Sequence, residues 1–295
     1  MRKLVIITAV ALPMVWYGTI TAQDNPNIPS YDEKSEYIRD HPGVDIDVYH
    51  YVNTWKNSKV VIGHGGFSEQ AVFTRGDPLD PPSKGAVLTY IKAYNHGFLY
   101  GNRETEQVKH TREQVIFYVM NGFGRVEAGG KSADISEGTG IFIPAGIAYR
   151  FACTSGVPLK VIIIVESIPE DFAPRNEMLV RSRHDVTPGH CCWAYTIYSL
   201  FSRSDGLFEP MGIAVVAVES YGMGSPHYHV DGCEEIWMKV RGEENPLMLG
   251  KKLIRQNIGD AFLAPPNGMV PHSVINGTES EMAWLYLGNR HDNDE

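Results

Sequence analysis

Residues 226–242 read PHYHVDGCEEIWMKVRG. His227 and His229 are two positions apart, so in an extended strand both side chains project from the same face and their imidazoles can converge on one ion. Glu235 begins the next predicted strand and adds a carboxylate oxygen. Further along the chain, His272 is the candidate fourth ligand. Three imidazoles and one carboxylate predict a site for one divalent transition metal.

A second group of residues surrounds His272. It consists of Gly259, Pro265, Gly268 and Asn276. Together with the first stretch, this group resembles the two motifs of the cupin superfamily, in which Gly, two His and Glu are followed by Gly, Pro, Gly, His and Asn. The resemblance implies that His227, His229, Glu235 and His272 bind a single metal inside a β-barrel.

The spacing departs from the family pattern in two loops. Five residues separate His229 from Glu235 where the family has three or four, and two extra residues lie between Pro265 and His272. The family's six-residue spacing from Glu to Gly242 selects Glu235 over Glu234 as the ligand. The donor set leaves the metal open among Mn, Fe, Co, Ni, Cu and Zn.

Short alternating apolar stretches separated by glycine and proline predict an all-β protein with two similar β units in tandem, as expected of a duplicated barrel. The resemblance to the cupin superfamily implies that these units are two tandem cupin-type (jelly-roll) β-barrels. The predicted organisation is a signal peptide at 1–22, an N-terminal arm at 23–60, a first domain at 61–167, a linker at 168–210 and a second, metal-binding domain at 211–290. Within the linker, the apolar stretch Ala194 to Phe201 is predicted as a helix. Gly129-Gly130-Lys131 predicts a hairpin turn in the first domain.

The first 22 residues indicate export. Arg2 and Lys3 give a positive start, an apolar run extends from Leu4 to Ile20, and Thr21-Ala22 is typical of a cleavage site. A membrane anchor is the weaker alternative, because Pro13 interrupts a run that is barely long enough to span a bilayer. We therefore expect a secreted or periplasmic protein with no membrane attachment after cleavage.

The net charge argues against one class of partner, and the cysteine content argues against a fold held together by disulfides. Loss of Arg2 and Lys3 would take the formal net charge from -9 to -11, and no cluster of basic residues is present, which argues against nucleic acid as a partner. The four cysteines are too few for a disulfide framework, and adjacent Cys191 and Cys192 would bridge each other only with strain. We interpret the cysteines mostly as buried small hydrophobic residues, and a disulfide involving Cys153 stays open.

The first domain carries a degenerate copy of the same motifs. The second motif is complete in spacing, but Tyr149 stands at the histidine position and Cys153 at the asparagine position. In the first motif, only His110 matches a ligand, because Val108 and Val115 occupy the other two positions. We therefore predict that this barrel binds no metal and that His110 and Tyr149 are hydrogen-bonded core residues. A polar pocket built around them is the alternative.

Strand alternation places Trp237 and Lys239 on the same face as Glu235, and Asn276 on the face of His272. The predicted pocket therefore has an indole wall and a polar group at Asn276. Lys239 is the candidate general acid or anion anchor, unless it lies at the barrel rim and reaches solvent.

Our leading functional hypothesis is a metal-dependent enzyme that isomerises, or cleaves by elimination, a small sugar, keto-sugar or uronate. A metal that chelates a carbonyl and its neighbouring hydroxyl stabilises the charge that develops in such reactions. An Fe- or Cu-dependent dioxygenase of an aromatic diol and a non-catalytic metal- or ligand-binding module are the alternatives. The oligomeric state is open, with a homodimer among the options.

Overall fold

The structure is a computed structural model that describes residues 46–289. The predicted signal peptide and most of the predicted arm lie outside the described residues. The described part consists mainly of strands, with short 3-10 helices at Val48–Tyr51, Trp55–Asn57 and Arg203–Asp205. None of the described helices is long and apolar enough to cross a membrane.

The first barrel is built from an eight-stranded and a four-stranded sheet. A short strand that precedes it is β1 (Val52–Thr54). The strands that follow are β2 (Val61–Gly63), β3 (Phe67–Arg75), β4 (Ala86–Leu88), β5 (Ala93–Leu99), β6 (Val108–Lys109), β7 (Glu113–Asn121), β8 (Phe123–Ala128), β9 (Lys131–Ser136), β10 (Thr139–Ile143), β11 (Ala148–Cys153), β12 (Leu159–Ser167) and β13 (Leu179–Ser182). The large sheet has the order β13-β10-β7-β12-β5-β3-β2, with β4 beside β3, and the small sheet has the order β6-β11-β8-β9.

The second barrel is built from a seven-stranded and a three-stranded sheet. Its strands are β14 (Gly189–Cys191), β15 (Tyr195–Ser202), β16 (Gly212–Val218), β17 (Glu234–Arg241), β18 (Asn245–Leu249), β19 (Lys252–Gln256), β20 (Asp260–Ala264), β21 (His272–Val274) and β22 (Met282–Asn289). The sheet orders are β1-β20-β17-β22-β16-β15-β14 and β19-β18-β21. The prediction of an all-β chain with two tandem jelly-roll barrels is confirmed.

Each large sheet includes a strand from outside the predicted bounds of its domain. Strand β1, which precedes the first barrel, pairs with β20 of the second, and β13, which follows β12, pairs with β10 of the first. One hydrophobic cluster contains residues of both barrels, among them Tyr94 and Ile116 of the first and Leu263 and Trp284 of the second. Residues 46–289 accordingly fall within one compact unit.

All but the first residue of the segment from Ala194 to Phe201 lies in strand β15, so the helix predicted there is wrong. The stretch is rich in aromatic and β-branched residues, which favour strands, and an apolar run of this length does not distinguish strand from helix by periodicity. Strand β15 pairs with β14 on one side and β16 on the other. It therefore forms part of the wall of the second barrel.

The predicted hairpin at Gly129-Gly130 is confirmed. Strands β8 and β9 pair in register up to Ala128 and Lys131, so the turn has two central residues. Both glycines have positive φ, 57° and 78°. A two-residue hairpin turn of this kind requires a left-handed backbone at both positions, which glycine adopts without a steric penalty.

Candidate metal centre

Two backbone features bring the histidines together. His227 and His272 form an antiparallel bridge, in which each backbone N–H donates to the carbonyl oxygen of the other, at 3.3 Å and 2.8 Å. His227 and His229 lie in a segment that precedes β17, and His272 begins β21. The bridge thus fixes one ligand of the first motif against the ligand of the second.

The four predicted ligands converge. One donor atom from each of His227, His229, Glu235 and His272 lies within 4.8 Å of the others. Glu235 Oε2 is 3.0 Å from His229 Nε2 and 3.3 Å from His272 Nε2. Within residues 46–289 no second group of three or more acidic, histidine or cysteine residues converges in this way.

Glu234, which precedes the predicted ligand Glu235, faces away from the histidines. Glu234 Oε1 accepts a hydrogen bond from the backbone N–H of Thr89, which belongs to the first barrel. Burial raises the pKa of Glu234 to about 7. Successive residues of a strand point to opposite faces, so only Glu235 can face the histidines.

A second layer of residues orients the ligands. Tyr286 Oη donates to Glu235 Oε1 at 2.8 Å, and Trp237 Nε1 donates to Glu235 Oε2 at 3.0 Å. His227 Nδ1 lies 2.7 Å from the carbonyl oxygen of Ser225, to which it must donate. This places the lone pair of a neutral His227 on Nε2, the nitrogen left for an ion.

Unsatisfied ring nitrogens in the cluster fit a cation. His229 Nε2 and both ring nitrogens of His272 are buried and have no aligned hydrogen-bond partner. Buried polar atoms are nearly always satisfied, so such a concentration beside a carboxylate is the donor arrangement that a divalent metal would complete.

The electrostatics of the cluster are dominated by the carboxylate. Burial alone would raise the pKa of Glu235, but the imidazoles of His229 and His272 outweigh that effect and hold its pKa below the usual value. Burial lowers the pKa of His272. Burial acts in the same sense on His229, but there Glu235 prevails and raises the pKa. The buried carboxylate is thus stabilised in its charged form, as a metal ligand must be.

A cavity of about 250 Å³ adjoins the cluster. It is lined by Cys191, Cys192, Tyr195, Ile197, Val216, His227, His229, Glu235, Trp237 and Tyr286. Strands β15, β16, β17 and β22 supply most of this lining, so the segment predicted as a helical linker forms one wall of the site.

Trp237 faces the cavity, on the inner side that alternation predicted for it. Its ring lies parallel to that of Phe262, with 6.0 Å between centroids, and the edge of Tyr286 approaches it at 5.0 Å. The side chain is only 3% exposed, so packing and the hydrogen bond to Glu235 hold it in place.

The two predicted positions for Lys239, beside the metal or at the rim, are both wrong. Lys239 is fully buried, and its Nζ donates to the backbone oxygen of Glu243 and to Asn245 Oδ1, below the ring of Trp284. Burial lowers its pKa to about 8. Strand alternation predicts the face on which a side chain lies, but not its depth along the barrel. The Lys239 side chain is accordingly not part of the cavity lining.

The prediction that Asn276 binds substrate is also wrong. Its Nδ2 donates to the backbone oxygens of Val218, Glu219 and Ser280, and its Oδ1 accepts from Thr278. The side chain is 1% exposed. Asn276 therefore ties together the loop before β22 and has no free donor or acceptor for a ligand.

The first barrel holds a polar group in place of a convergent ligand set. His110 Nε2 lies 3.2 Å from the hydroxyl of buried Tyr149, in agreement with the predicted hydrogen bond. Sequence reasoning missed His64 and Glu69, which form a 2.6 Å hydrogen bond, with the His64 ring 5.4 Å from that of His110. These two residues lie before the motifs: His64 directly follows β2, and Glu69 lies in β3, the strand that pairs with β2.

Three of the four cysteines are not buried, contrary to the prediction. Cys153 is buried, Cys192 and Cys233 are partly exposed, and Cys191 is exposed. No disulfide links any of these positions in the described chain. Cys191 and Cys192 both line the cavity.

Comparisons with known proteins agree with this architecture. The cupin domain family model matches residues 98–165, which lie in the first barrel. No curated protein sequence matches the chain.

Three solved structures are similar in fold. A putative glyoxylate-induced protein from Pseudomonas aeruginosa aligns with a TM-score of 0.64 at 16% identity, covering 83% of this chain and 91% of that one. Oxalate decarboxylase from Lactobacillus farciminis, in complex with formate, aligns with a TM-score of 0.58 at 14% identity over 81% and 86% of the two chains. Oxalate decarboxylase from Bacillus subtilis, which contains Mn(II) centres, aligns with a TM-score of 0.60 at 12% identity over 89% and 84%.

The chain is therefore a protein of the cupin fold, with two barrels in tandem. A candidate metal site of three histidines and one glutamate lies in the second barrel.

Proposed function

We propose that this chain is an exported metal-dependent enzyme that isomerises a small sugar, keto-sugar or uronate, or cleaves it by elimination. The observation that carries the proposal is the position of the ligand set, three members of which, His227, His229 and Glu235, line a cavity of about 250 Å³ beside an indole ring. A metal at His227, His229, Glu235 and His272 supplies a Lewis acid for oxygen substituents.

The size of the cavity favours a small ligand. Its volume lies just below the range of about 300–1,000 Å³ that is usual for ligand sites, so it suits a molecule no larger than a monosaccharide. Trp237, Ile197 and Val216 provide apolar surface in the same cavity as the polar ligand group. A sugar has an apolar C–H face and polar hydroxyl edges, which match such a mixed lining.

The metal to test first is manganese. One of the proteins of similar fold is an oxalate decarboxylase with Mn(II) centres, and another is an oxalate decarboxylase in complex with formate. These proteins handle small oxygen-rich molecules on the same architecture. They support the class of ligand that we propose, but fold similarity alone does not assign the reaction.

The aromatic lining favours one second candidate. Tyr195, Trp237 and Tyr286 place three aromatic rings around the cavity. An aromatic diol could stack in such a site, and an Fe- or Cu-loaded chain would then act as a dioxygenase. Oxygen consumption with catechols distinguishes this candidate from the isomerase or lyase.

The experiment is a substrate screen on metal-reconstituted protein. The chain is loaded separately with Mn, Fe, Co, Ni, Cu or Zn and incubated with keto-sugars and uronates in D₂O, and NMR follows deuterium uptake and new products. We expect turnover that is lost in His229→Ala together with the metal. Ile197→Trp should abolish turnover with the metal retained, because the larger side chain fills the cavity and replaces no ligand.

His110→Ala is the matched histidine control and should keep both metal and turnover. Undiminished turnover in both His229→Ala and Ile197→Trp would contradict the assignment of the site. Export is tested separately by N-terminal sequencing of the protein recovered outside the cytoplasm. We expect it to begin at Gln23, and a chain that stays in the cytoplasm and keeps Met1 would refute the export proposal.

A further inference from the structure

Two adjacent thiols form part of the wall of the metal cavity. Cys191 ends β14 and Cys192 begins the turn into β15, and both line the cavity with His227, His229 and Glu235. Their Sγ atoms are 2.8 Å apart, closer than two sulfur atoms that merely touch. The metal site as described uses neither thiol.

The backbone around the pair is under local constraint. Cys192 and Trp193 both have positive φ, 50° and 70°, in the short turn between β14 and β15. Residues other than glycine adopt a positive φ only at a steric cost, so the backbone hydrogen bonds around this turn must stabilise its conformation. Trp193 bridges to Gly224, and the Cys192 carbonyl accepts from the Ser225 N–H at 3.0 Å.

A continuous set of contacts joins this turn to the metal ligands. The carbonyl of Cys192 accepts from the Ser225 N–H, and the carbonyl of Ser225 in turn accepts from Nδ1 of His227. A change in the Cys192 peptide therefore moves the acceptor that orients His227. Groups that orient a metal ligand in this way affect metal affinity about 10–100-fold when they are disturbed.

From this geometry we propose that Cys191 and Cys192 form a reversible vicinal disulfide that alters metal binding at the adjacent site. The two thiols lose two electrons and two protons as the Sγ–Sγ bond forms. A low-molecular-weight disulfide is the oxidant, and its S–S bond is reduced to two thiols through a mixed-disulfide intermediate. The regulatory part of this inference rests on the proposed function of the metal centre.

The properties of the pair suit reversibility. Neighbouring Cα atoms are about 3.8 Å apart, shorter than the usual separation in a disulfide, so the bridge is strained. Strained or exposed disulfides are the easily reduced ones that serve regulatory or catalytic roles. Cys191 is exposed, so a small oxidant can reach it.

The test is thiol mapping on the full chain. Reduced protein is treated with excess oxidised glutathione, alkylated and digested with trypsin, which releases residues 184–203 with both cysteines. We expect this peptide to lose about 2 Da and take up no alkyl group, whereas the reduced control takes up two. Addition of a dithiol reductant should restore both alkylation sites.

Variants separate the outcomes. Cys233→Ser should oxidise as the wild type does, whereas Cys191→Ser and Cys192→Ser should each leave one thiol that retains glutathione as a mixed disulfide. Two alkylatable thiols after oxidation would overturn the proposal. A cross-link from this peptide to the Cys233 peptide, or to a second chain, would overturn it as well.

The regulatory effect is measured by competition with a chromogenic chelator. We expect the apparent metal Kd of the oxidised chain to differ from that of the reduced chain by about tenfold, the lower end of the range for groups around metal ligands. Equal affinities would refute the regulation. Neither readout involves a substrate, so a chain that forms the disulfide without turnover would refute only the proposed reaction.

Discussion

Replacement of Tyr286 by phenylalanine tests whether the second layer around Glu235 supports metal binding. The hydroxyl of Tyr286 donates to Glu235 Oε1 at 2.8 Å, whereas Trp237 and the histidines are close to Oε2. The substitution removes one hydrogen bond and keeps the ring, which packs against Trp237 at 5.0 Å. Glu235 would then lose the contact that fixes its Oε1.

The expected magnitude follows from the role of such contacts. Loss of a group that orients a metal ligand typically weakens affinity about 10–100-fold, which corresponds to about 1.4–2.8 kcal/mol. Glu235 is only 5% exposed, so little solvent is available to replace the lost donor. We therefore expect Tyr286→Phe to raise the metal Kd by that factor while the fold is retained.

The assay is competition with a chromogenic chelator, with Tyr228→Phe as the matched control. Tyr228 lies between the two histidine ligands of the first motif, but it is 61% exposed, so removal of its hydroxyl should leave the Kd unchanged. A second perturbation acts on the same contact. A Cβ at Gly288 would lie 2.2 Å from the Tyr286 hydroxyl, so Gly288→Ala should displace the hydroxyl and raise the metal Kd in the same way. A Tyr286→Phe chain with the Kd of the wild type would refute the reasoning.

Three further outcomes are expected. Elemental analysis should find about one metal per chain in the wild type and in His110→Ala, and none in His229→Ala; two equivalents would show that the first barrel also binds metal. Trp237→Ala should weaken ligand binding and also metal binding, because it deletes the donor to Glu235 as well as the indole wall; unchanged metal affinity by chelator competition would contradict this role. Glu166 is fully buried, and burial raises its pKa from 4.5 to about 7, so the folded state binds more protons than the unfolded chain between these values. The free energy of unfolding should therefore fall by up to about 3 kcal/mol as pH rises through this window, and Glu166→Gln should flatten that slope in urea titrations; an equal slope in both proteins would exclude Glu166 as its source.

The architecture was largely predictable because strand alternation and turn residues are local signals. The hairpin at Gly129-Gly130 is an example, since both glycines are where a two-residue turn requires positive φ. The pairing of β1 with the second barrel was not predictable, because three residues carry no signal of their partner. The segment from Ala194 to Phe201 was misassigned because a short apolar run fits a buried strand as well as a helix.

At the site, the sequence identified which residues converge but not where the other inward-facing side chains lie along the barrel. Glu235 and Trp237 both face the cavity, as period-two alternation requires. Lys239 continues the same alternation, yet it lies deeper, where Asn245 and Trp284 enclose its amine. Depth along a barrel depends on strand tilt and on the lengths of side chains from other strands, which a single strand does not encode.

The interior of the first barrel accounts for the lack of a second convergent ligand set among the described residues. Val115 stands where the second barrel has Glu235, and it is buried in an apolar cluster with Phe117, Phe151 and Tyr149. Phe117 and Phe151 pack at 4.6 Å between centroids. A charged metal ligand in such surroundings would be costly to bury. Burial lowers the pKa of His110, whose Nε2 lies against the Tyr149 hydroxyl and whose Nδ1 is 3.4 Å from Glu113 Oε2. With valine at this position, aromatic rings pack around it, and the convergent ligand set found among the described residues lies in the second barrel.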